Sequence, residues 1–143
     1  MLALVWNNEK GHADLAVAGG RLMTDPGIET LILILLFTDK RDDVDKSGDP
    51  RGWWATKLVS PENMEWGSKI WVARRGNVTR ETAEKIRREA KDALQPLVAW
   101  GYVAEADAKA EFNDENRLVL TVVLTKPGGE PQTHQFQNFG ENL

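Results

Sequence analysis

The sequence predicts an α+β fold: a single domain over residues 1–143 in which an antiparallel meander packs with two main helices. Three observations carry this expectation. A chain of 143 residues is one domain's worth, able to bury roughly two-thirds of its surface around one core. Ile86, Ala90, Ala93, Leu94, Leu97 and Val98 recur at helical spacing on one stripe. Beyond them the period changes to two, and the β-branched run from Arg117 to Thr125 is bounded by turn formers at both ends.

Residues 2–6 and 14–18 are short apolar runs that read as strands, the second turning at Gly19-Gly20 into Arg21-Leu22-Met23 as a small hairpin. A helix over 26–38 follows, with Asp25 able to cap, Pro26 suited to the first helical position and Glu29 in the positive first turn. Its stretch from Leu31 to Phe37 is apolar on every side, which fits a buried helix and equally a buried strand. Residues 39–50 alternate in charge and end in turn formers, as an exposed loop does. Regular structure is expected to be sparse over 51–72.

Thr79 opens the second helix, firm over 80–94. Glu81 with Lys85 and Glu84 with Arg88 stand four apart on its solvated face. Pro96 should tighten the last turn, and Gly101 is placed to end the helix. From Val103 the alternation puts Ala104, Ala106, Ala108, Ala110 and Phe112 on one face of a strand, although so many alanines leave a helix open. Asp114-Glu115-Asn116 turns into the Arg117–Thr125 strand, and Pro127 to Pro131 turns that into a last strand over Thr133 to Phe139.

Composition narrows the function. With 41% hydrophobic and 28% charged residues, the chain is neither collagen-like nor wholly disordered. Eighteen bases against 22 acids give a net charge of -4, which disfavours general nucleic-acid binding. There is no cysteine, hence no disulfide, thiol nucleophile or thiolate zinc site. The longest apolar run falls far short of the ~18 to 20 residues that span a bilayer, and no basic region precedes the first apolar patch as in a secretory signal. The expectation is no membrane segment, no nucleic-acid partner and no cofactor.

Motifs for chemistry are sparse. Asp43, Asp45, Ser47 and Asp49 match the start of a calcium loop, but Trp54 stands at the twelfth position where a bidentate carboxylate should close the shell. His12 and His134 are the only imidazoles and lack metal-ligand spacing. Neither G-x-S-x-G nor a phosphate-binding glycine loop occurs. Twenty-two acids allow accidental carboxylate pairs of the kind glycoside cleavage needs, so a hydrolase is not excluded by sequence.

Contact residues stand out more. Four of the six tryptophans, Trp53, Trp54, Trp66 and Trp71, fall within residues 51–72. Trp66 and Trp71 suit the core, whereas Trp53 and Trp54 beside Arg51 cannot easily both point inward, and Trp and Arg dominate interface hot spots. Residues 74–91 carry Arg74, Arg75, Arg80, Lys85, Arg87, Arg88 and Lys91 against three acids, while residues 105–115 carry five acids and one base. These patches could meet partners of opposite sign or neutralise each other within the fold. An open meander also leaves an edge strand, which makes Thr133, Gln135, Phe136 and Phe139 candidates for pairing with another chain.

Gly19-Gly20-Arg21-Leu22, Gly27-Ile28-Glu29-Thr30, Leu35-Leu36-Phe37-Thr38-Asp39, Arg51-Gly52-Trp53-Trp54 and Gly67-Ser68-Lys69-Ile70-Trp71 occur in an order that resembles the Mu-like phage tail protein family named after that phage's forty-sixth gene product. The likeness extends through Arg88-Glu89-Ala90 to Leu124-Thr125-Lys126-Pro127-Gly128. It implies a sheath-initiator-like domain of a contractile-tail baseplate, present in six copies around the tail axis. The implied partners are other wedge proteins, the central spike, hub or tail tube, and the first ring of sheath protein. The implied location is the virion's tail baseplate, after assembly in the host cytoplasm. The related T4-type sheath initiators carry a Glu-Pro-Arg motif after their long helix; here Trp100-Gly101-Tyr102-Val103 stands instead, so contacts through that motif do not transfer. The expectation is a non-enzymatic structural subunit using Arg51, Trp53, Trp54, Arg74, Arg75 and the last strand. The alternative is a small tail-associated peptidoglycan hydrolase.

Overall fold

A computed structural model describes residues 1–25, 27–42, 51–53 and 66–137. Pro26, the calcium-like run Asp43 to Asp49, Trp54 and Phe139 lie outside the described residues. The chain order is β1 (Leu4–Asn7), β2 (His12–Leu15), β3 (Val17–Ala18), β4 (Arg21–Leu22), α1 (Glu29–Phe37), α2 (Ile70–Ala73), α3 (Arg80–Ala99), β5 (Glu105–Phe112), β6 (Leu118–Thr125) and β7 (Pro131–Gln137). The α+β class and the C-terminal antiparallel meander, in the order β5-β6-β7, are as the sequence predicts.

The N-terminal segment differs from expectation in its pairing. The hairpin at Gly19-Gly20 forms, with Val17 opposite Leu22, but 14–18 divides at Ala16. Its first part belongs to a second hairpin, β1-β2, with Leu4 opposite Leu15 and Asn7 opposite His12. Asn7 closes that turn: its side-chain oxygen accepts from the N–H groups of Glu9 and Lys10.

The apolar run 31–37 is a helix, not a strand. It starts at Glu29, three residues later than expected, yet Asp25 caps it: its carboxylate accepts from the N–H of Thr30 at 2.6 Å and of Gly27 at 2.6 Å. Ile32, Leu35 and Leu36 are at most 1% exposed, each contributing roughly 1.5–3 kcal/mol of burial. The Thr30 hydroxyl, itself buried, accepts from Leu4 N–H and fixes β1 against the helix. After the helix, Thr38 and Lys40 exchange backbone hydrogen bonds with Ser68. Only glycine fits at position 67, where φ is +99° and a Cβ would strike the Thr38 carbonyl oxygen.

The α3 helix is five residues longer than the firm prediction and runs through Pro96 to Ala99. Thr79 caps it by accepting from Thr82 N–H, and a Schellman motif ends it: Gly101, at φ +78°, donates to Val98 and Tyr102 donates to Leu97. The buried stripe is Ala83, Ile86, Ala90, Ala93, Leu94 and Leu97, with Val98 only half-buried. Glu84 takes Arg87, three residues on, as its close partner rather than Arg88. The alanines of β5 are explained by packing: α3 lies along this strand, and Ala106 and Ala108 facing the helix allow the close approach. Ala104 is exposed and precedes the strand, so the inward alternation begins at Ala106. On β6, Leu120, Val122 and Leu124 are at most 1% exposed and form the centre of the sheet's inner face.

Burial raises the Asp25 carboxyl, but hydrogen bonds from Thr30 and Gly27 together outweigh it and hold the group below its ordinary value of 3.8. A lowered folded value gives stabilisation that is present above the unfolded pKa and fades as pH falls through the folded one. Asp25→Ala should therefore cost about 1 kcal/mol at pH 7 and measurably less at about pH 3, as read by urea unfolding at the two pH values.

Candidate functional site

The end of α1 and the start of α2 build a basic and aromatic cluster. The Ser68 hydroxyl donates to the Leu36 carbonyl and accepts from Ile70 N–H, tying the first turn of α2 to α1. Trp71 is thereby held 2% exposed, with its indole N–H donating to the Lys40 carbonyl at 2.8 Å. The Arg75 guanidinium lies over the indole at 4.8 Å from the ring centroid and that of Arg51 at 5.0 Å. Arg51 also pairs with Asp39 at 3.2 Å. Its backbone stands at φ +47°, a left-handed conformation that costs a non-glycine residue about 1–2 kcal/mol. Arg74, half-buried beside them, is pulled below its usual pKa by desolvation; Asp39 opposes that shift and Arg51 adds to it.

A cleft of about 370 Å³ opens next to this cluster, walled by Trp6, Leu36, Phe37, Ile70 and Trp71, with Asp39 and Arg74 among its polar lining. Its aromatic wall is fixed by a three-way contact. Trp6 stacks on Phe37 at 4.3 Å between centroids, and Phe136 meets Trp6 and Phe37 edge-on at 5.7 and 5.4 Å. A second recess, of about 420 Å³ between α2 and α3, has mixed lining: Lys69, Lys85 and Arg88 face Asp42, Glu89 and Asp92, and Lys69 pairs with Asp42 at 3.5 Å.

The proposed contact residues divide accordingly. Arg51, Arg74 and Arg75 come together around Trp71, and Trp53 is 39% exposed close by in sequence. Thr133 and Gln135 are exposed on β7, the edge strand that pairs only with β6 among the described residues. Gln137 sends both backbone groups outward from the sheet: its N–H donates to the Asn8 side chain and its C=O accepts from the Trp6 indole. By the two-residue alternation of an antiparallel ladder, Thr133 and Gln135 point theirs outward too. Phe136 is a correction. Period two puts it on the opposite face from Gln135, and it is 5% exposed in the core. Trp71 is core as expected, within a four-residue helix, whereas Trp66 is only half-buried, with an indole N–H that finds no partner among the described residues.

The basic and acidic patches partly neutralise each other. Lys91 of α3 pairs with Asp107 of β5 at 3.2 Å. Hydrogen bonds from Ala108 N–H and Lys91 hold the Asp107 carboxyl below its usual range. No group of three or more metal-ligating side chains occurs among the described residues, and no helix there is long and apolar enough to cross a membrane.

Two features escaped sequence reasoning. Val5, Val17, Leu22 and Met23 of the N-terminal hairpins are 47–62% exposed, although their alternation reads like any half-buried strand. Trp100 and Tyr102 at the end of α3 are 38% and 53% exposed and form an aromatic group with Trp66; their place next to the terminating Gly101 was the available signal.

A family model described as phage protein GP46 matches residues 28–131. The chain is 35% identical over 141 residues to the baseplate protein gp46 of Escherichia phage Mu, covering 95% of this chain and 94% of that protein. It is 29% identical over 136 residues to the Mu-like prophage FluMu protein gp46 of Haemophilus influenzae, with the same coverage of each chain.

The division of β7 into core and edge positions has a direct consequence. Phe136→Ala should destabilise the fold by about 3–5 kcal/mol, whereas Thr133→Ala should stay within about 0.5 kcal/mol of the parent, both read from urea unfolding midpoints.

Proposed function

The chain belongs to the phage GP46 family, and on that premise we propose that it is a structural component of a phage tail baseplate. The observation that carries this reading is the near full-length likeness to the Mu baseplate protein. In the finer part of the proposal the chain sits in the baseplate wedge near the hub, in six copies. It contacts other wedge proteins, the hub or tube, and the first sheath ring, on which sheath assembly starts. Its residues 1–143 act as one domain.

Two surfaces suit these contacts. The first is the β7 edge, where the outward backbone groups of Thr133 and Gln135 are a template for an added strand. The second is the cluster of Arg51, Arg74 and Arg75 with Trp53 nearby; Trp54 and Phe139 belong to the same two proposed surfaces by sequence. No observation favours the hydrolase alternative. Among the described residues, the carboxylates with displaced pKa, Asp25, Glu84 and Asp107, are lowered, the opposite of what a general acid needs.

Co-expression with the neighbouring tail-gene products, followed by size exclusion with mass determination, tests the reading. A complex of fixed stoichiometry is expected, and a chain that stays alone with every neighbour would overturn it. Gln135→Pro removes an outward N–H at an edge position that tolerates proline. It should leave the thermal transition in place yet prevent co-assembly with the sheath protein; unchanged sheath assembly would remove the edge from the proposal.

A further inference from the structure

We infer that Lys91 and Asp107 form a latch that closes the β5 edge of the C-terminal sheet, so that strand addition is confined to β7 and copies of the chain do not join β7 to β5. The inference rests on the reading of β7 as the contact edge and adds how the sheet's other edge is kept from pairing.

Among the described residues, β5 and β7 each pair only with β6, so the sheet ends in two edges. Gln137 points its backbone groups outward, so β7 bonds to β6 through its even-numbered residues, opposite Leu120, Val122 and Leu124. The odd-numbered residues of β6 then bond to the odd-numbered residues of β5. Asn113 continues that series by donating to the Arg117 carbonyl. Ala106, Ala108 and Ala110 therefore carry outward N–H and C=O groups.

Such a row is a template for another strand, but its middle is occupied. The Ala108 N–H donates to Oδ1 of Asp107 at 2.9 Å, and the same oxygen takes the Lys91 ammonium at 3.2 Å. Ala106 and Ala108 are buried on the inner face, against α3, so alternation puts Asp107 on the outer face. Lys91 starts from α3 on the inner side. To reach Asp107 its side chain passes round the β5 edge and lays a charged pair where the backbone of an added strand would run. An incoming carbonyl would meet a carboxylate oxygen in place of the Ala108 N–H. Charged side chains at an edge, lysine above all, are how sheets discourage pairing.

The device recurs on β2. Leu4 sends its N–H to Thr30, so Leu15 opposite it also faces outward, and the Leu15 N–H donates to Asp14 at 2.8 Å. By contrast, β7 has no Asp, Glu, Lys or Arg from Pro131 to Gln137.

The strand that the latch shuts out is β7 of a second copy. With β5 and β7 at opposite edges of one sheet, β7 of one copy laid on β5 of the next continues the sheet and leaves an edge at each end, a head-to-tail contact that can grow. Pairing of β5 with β5 is disfavoured by its own charges, because Glu105, Asp107 and Glu111 share the outer face and would bring carboxylates against carboxylates.

Sedimentation velocity of the full chain over a series of concentrations tests the latch. The parent should remain a monomer. Lys91→Ala combined with Asp107→Thr opens the edge without changing net charge, and the weight-average mass should then rise about twofold or more with concentration. Lys109→Ala combined with Glu111→Thr removes a neighbouring ion pair of 3.3 Å at the same net charge and should stay monomeric. Adding Gln135→Pro to the opened variant blocks β7 and should return it to a monomer. A parent that already self-associates, an opened variant that stays monomeric, equal association of the control pair, or association that survives Gln135→Pro would each overturn the inference. Thermal melts establish that the variants are folded, and Lys91→Gln alone, with a smaller rise in mass, is the second probe if the opened variant is not. Co-expression with the sheath protein separates the two readings. Sheath assembly by the parent, beside an opened variant that stays monomeric, removes the latch and leaves the β7 contact standing. Association of the opened variant that Gln135→Pro abolishes, with no tail-protein complex from the parent, does the reverse.

Discussion

Helix α1 is nine residues with no polar face, and the rest of the fold follows from having to cover it. A helix apolar all round has no favourable orientation at a surface. Here β1 packs on one side, α3 and α2 on others, and the Trp6–Phe37–Phe136 contact joins its last turn to both the first hairpin and the last strand. Burial on most sides, with only the Leu31, Ile34 and Phe37 face half-buried, makes the helix ends critical, since their backbone groups lose access to water. Asp25 serves the first turn, and Ser68 takes over the chain immediately after the last. The junction between Thr38–Lys40 and Gly67–Ser68 in turn sets where Asp39 and the Lys40 carbonyl lie, and these hold Arg51 and Trp71. The site is thus a consequence of how the buried helix is terminated.

That dependence explains what could be read from sequence. The α3 helix was legible because its signals are local: a threonine cap, a stripe at helical spacing and a glycine stop act within a few residues of one another. Strand β6 was legible for the same reason, its β-branched density needing no partner to be seen. The alanines of β5 were ambiguous until α3 was laid beside them, because small side chains serve a close helix-to-strand approach as well as a helix. Phe136 was misplaced by weighing residue type above alternation; Gln135 and Phe136, being adjacent, could never share a face. The β1-β2 hairpin was missed because its turn is closed by an Asn7 side chain rather than by a glycine pair.

The candidate site was legible only in part. Arg51, Arg74 and Arg75 drew notice as charge and Trp53 as an exposed aromatic, but nothing local connects them. Their meeting point, Trp71, reads correctly as a core residue, and its second role depends on residues 20 positions away in sequence. Asp39 had no signal at all beyond membership of a charged run, and it becomes the shared counter-charge only once α1 ends where it does.

Magnitudes decide whether either surface could hold a partner alone. On β7, Pro131 lacks an N–H and the outward groups of Gln137 are already engaged by Trp6 and Asn8. Among the described residues, the outward groups that remain there are the C=O of Pro131 and the N–H and C=O of Thr133 and Gln135. Each backbone hydrogen bond is worth roughly 0.5–1.5 kcal/mol net, so such an edge supplies roughly 2.5–7.5 kcal/mol against an association cost of about 4–15 kcal/mol. Strand addition here specifies register and direction better than it provides affinity. The aromatic contact places the second surface within reach: Trp6 both walls the cleft and donates to Gln137, so cleft and edge share one rigid side chain. A partner assembly that engaged both would make its second contact at high effective concentration. An isolated strand added at this edge alone would bind weakly and release.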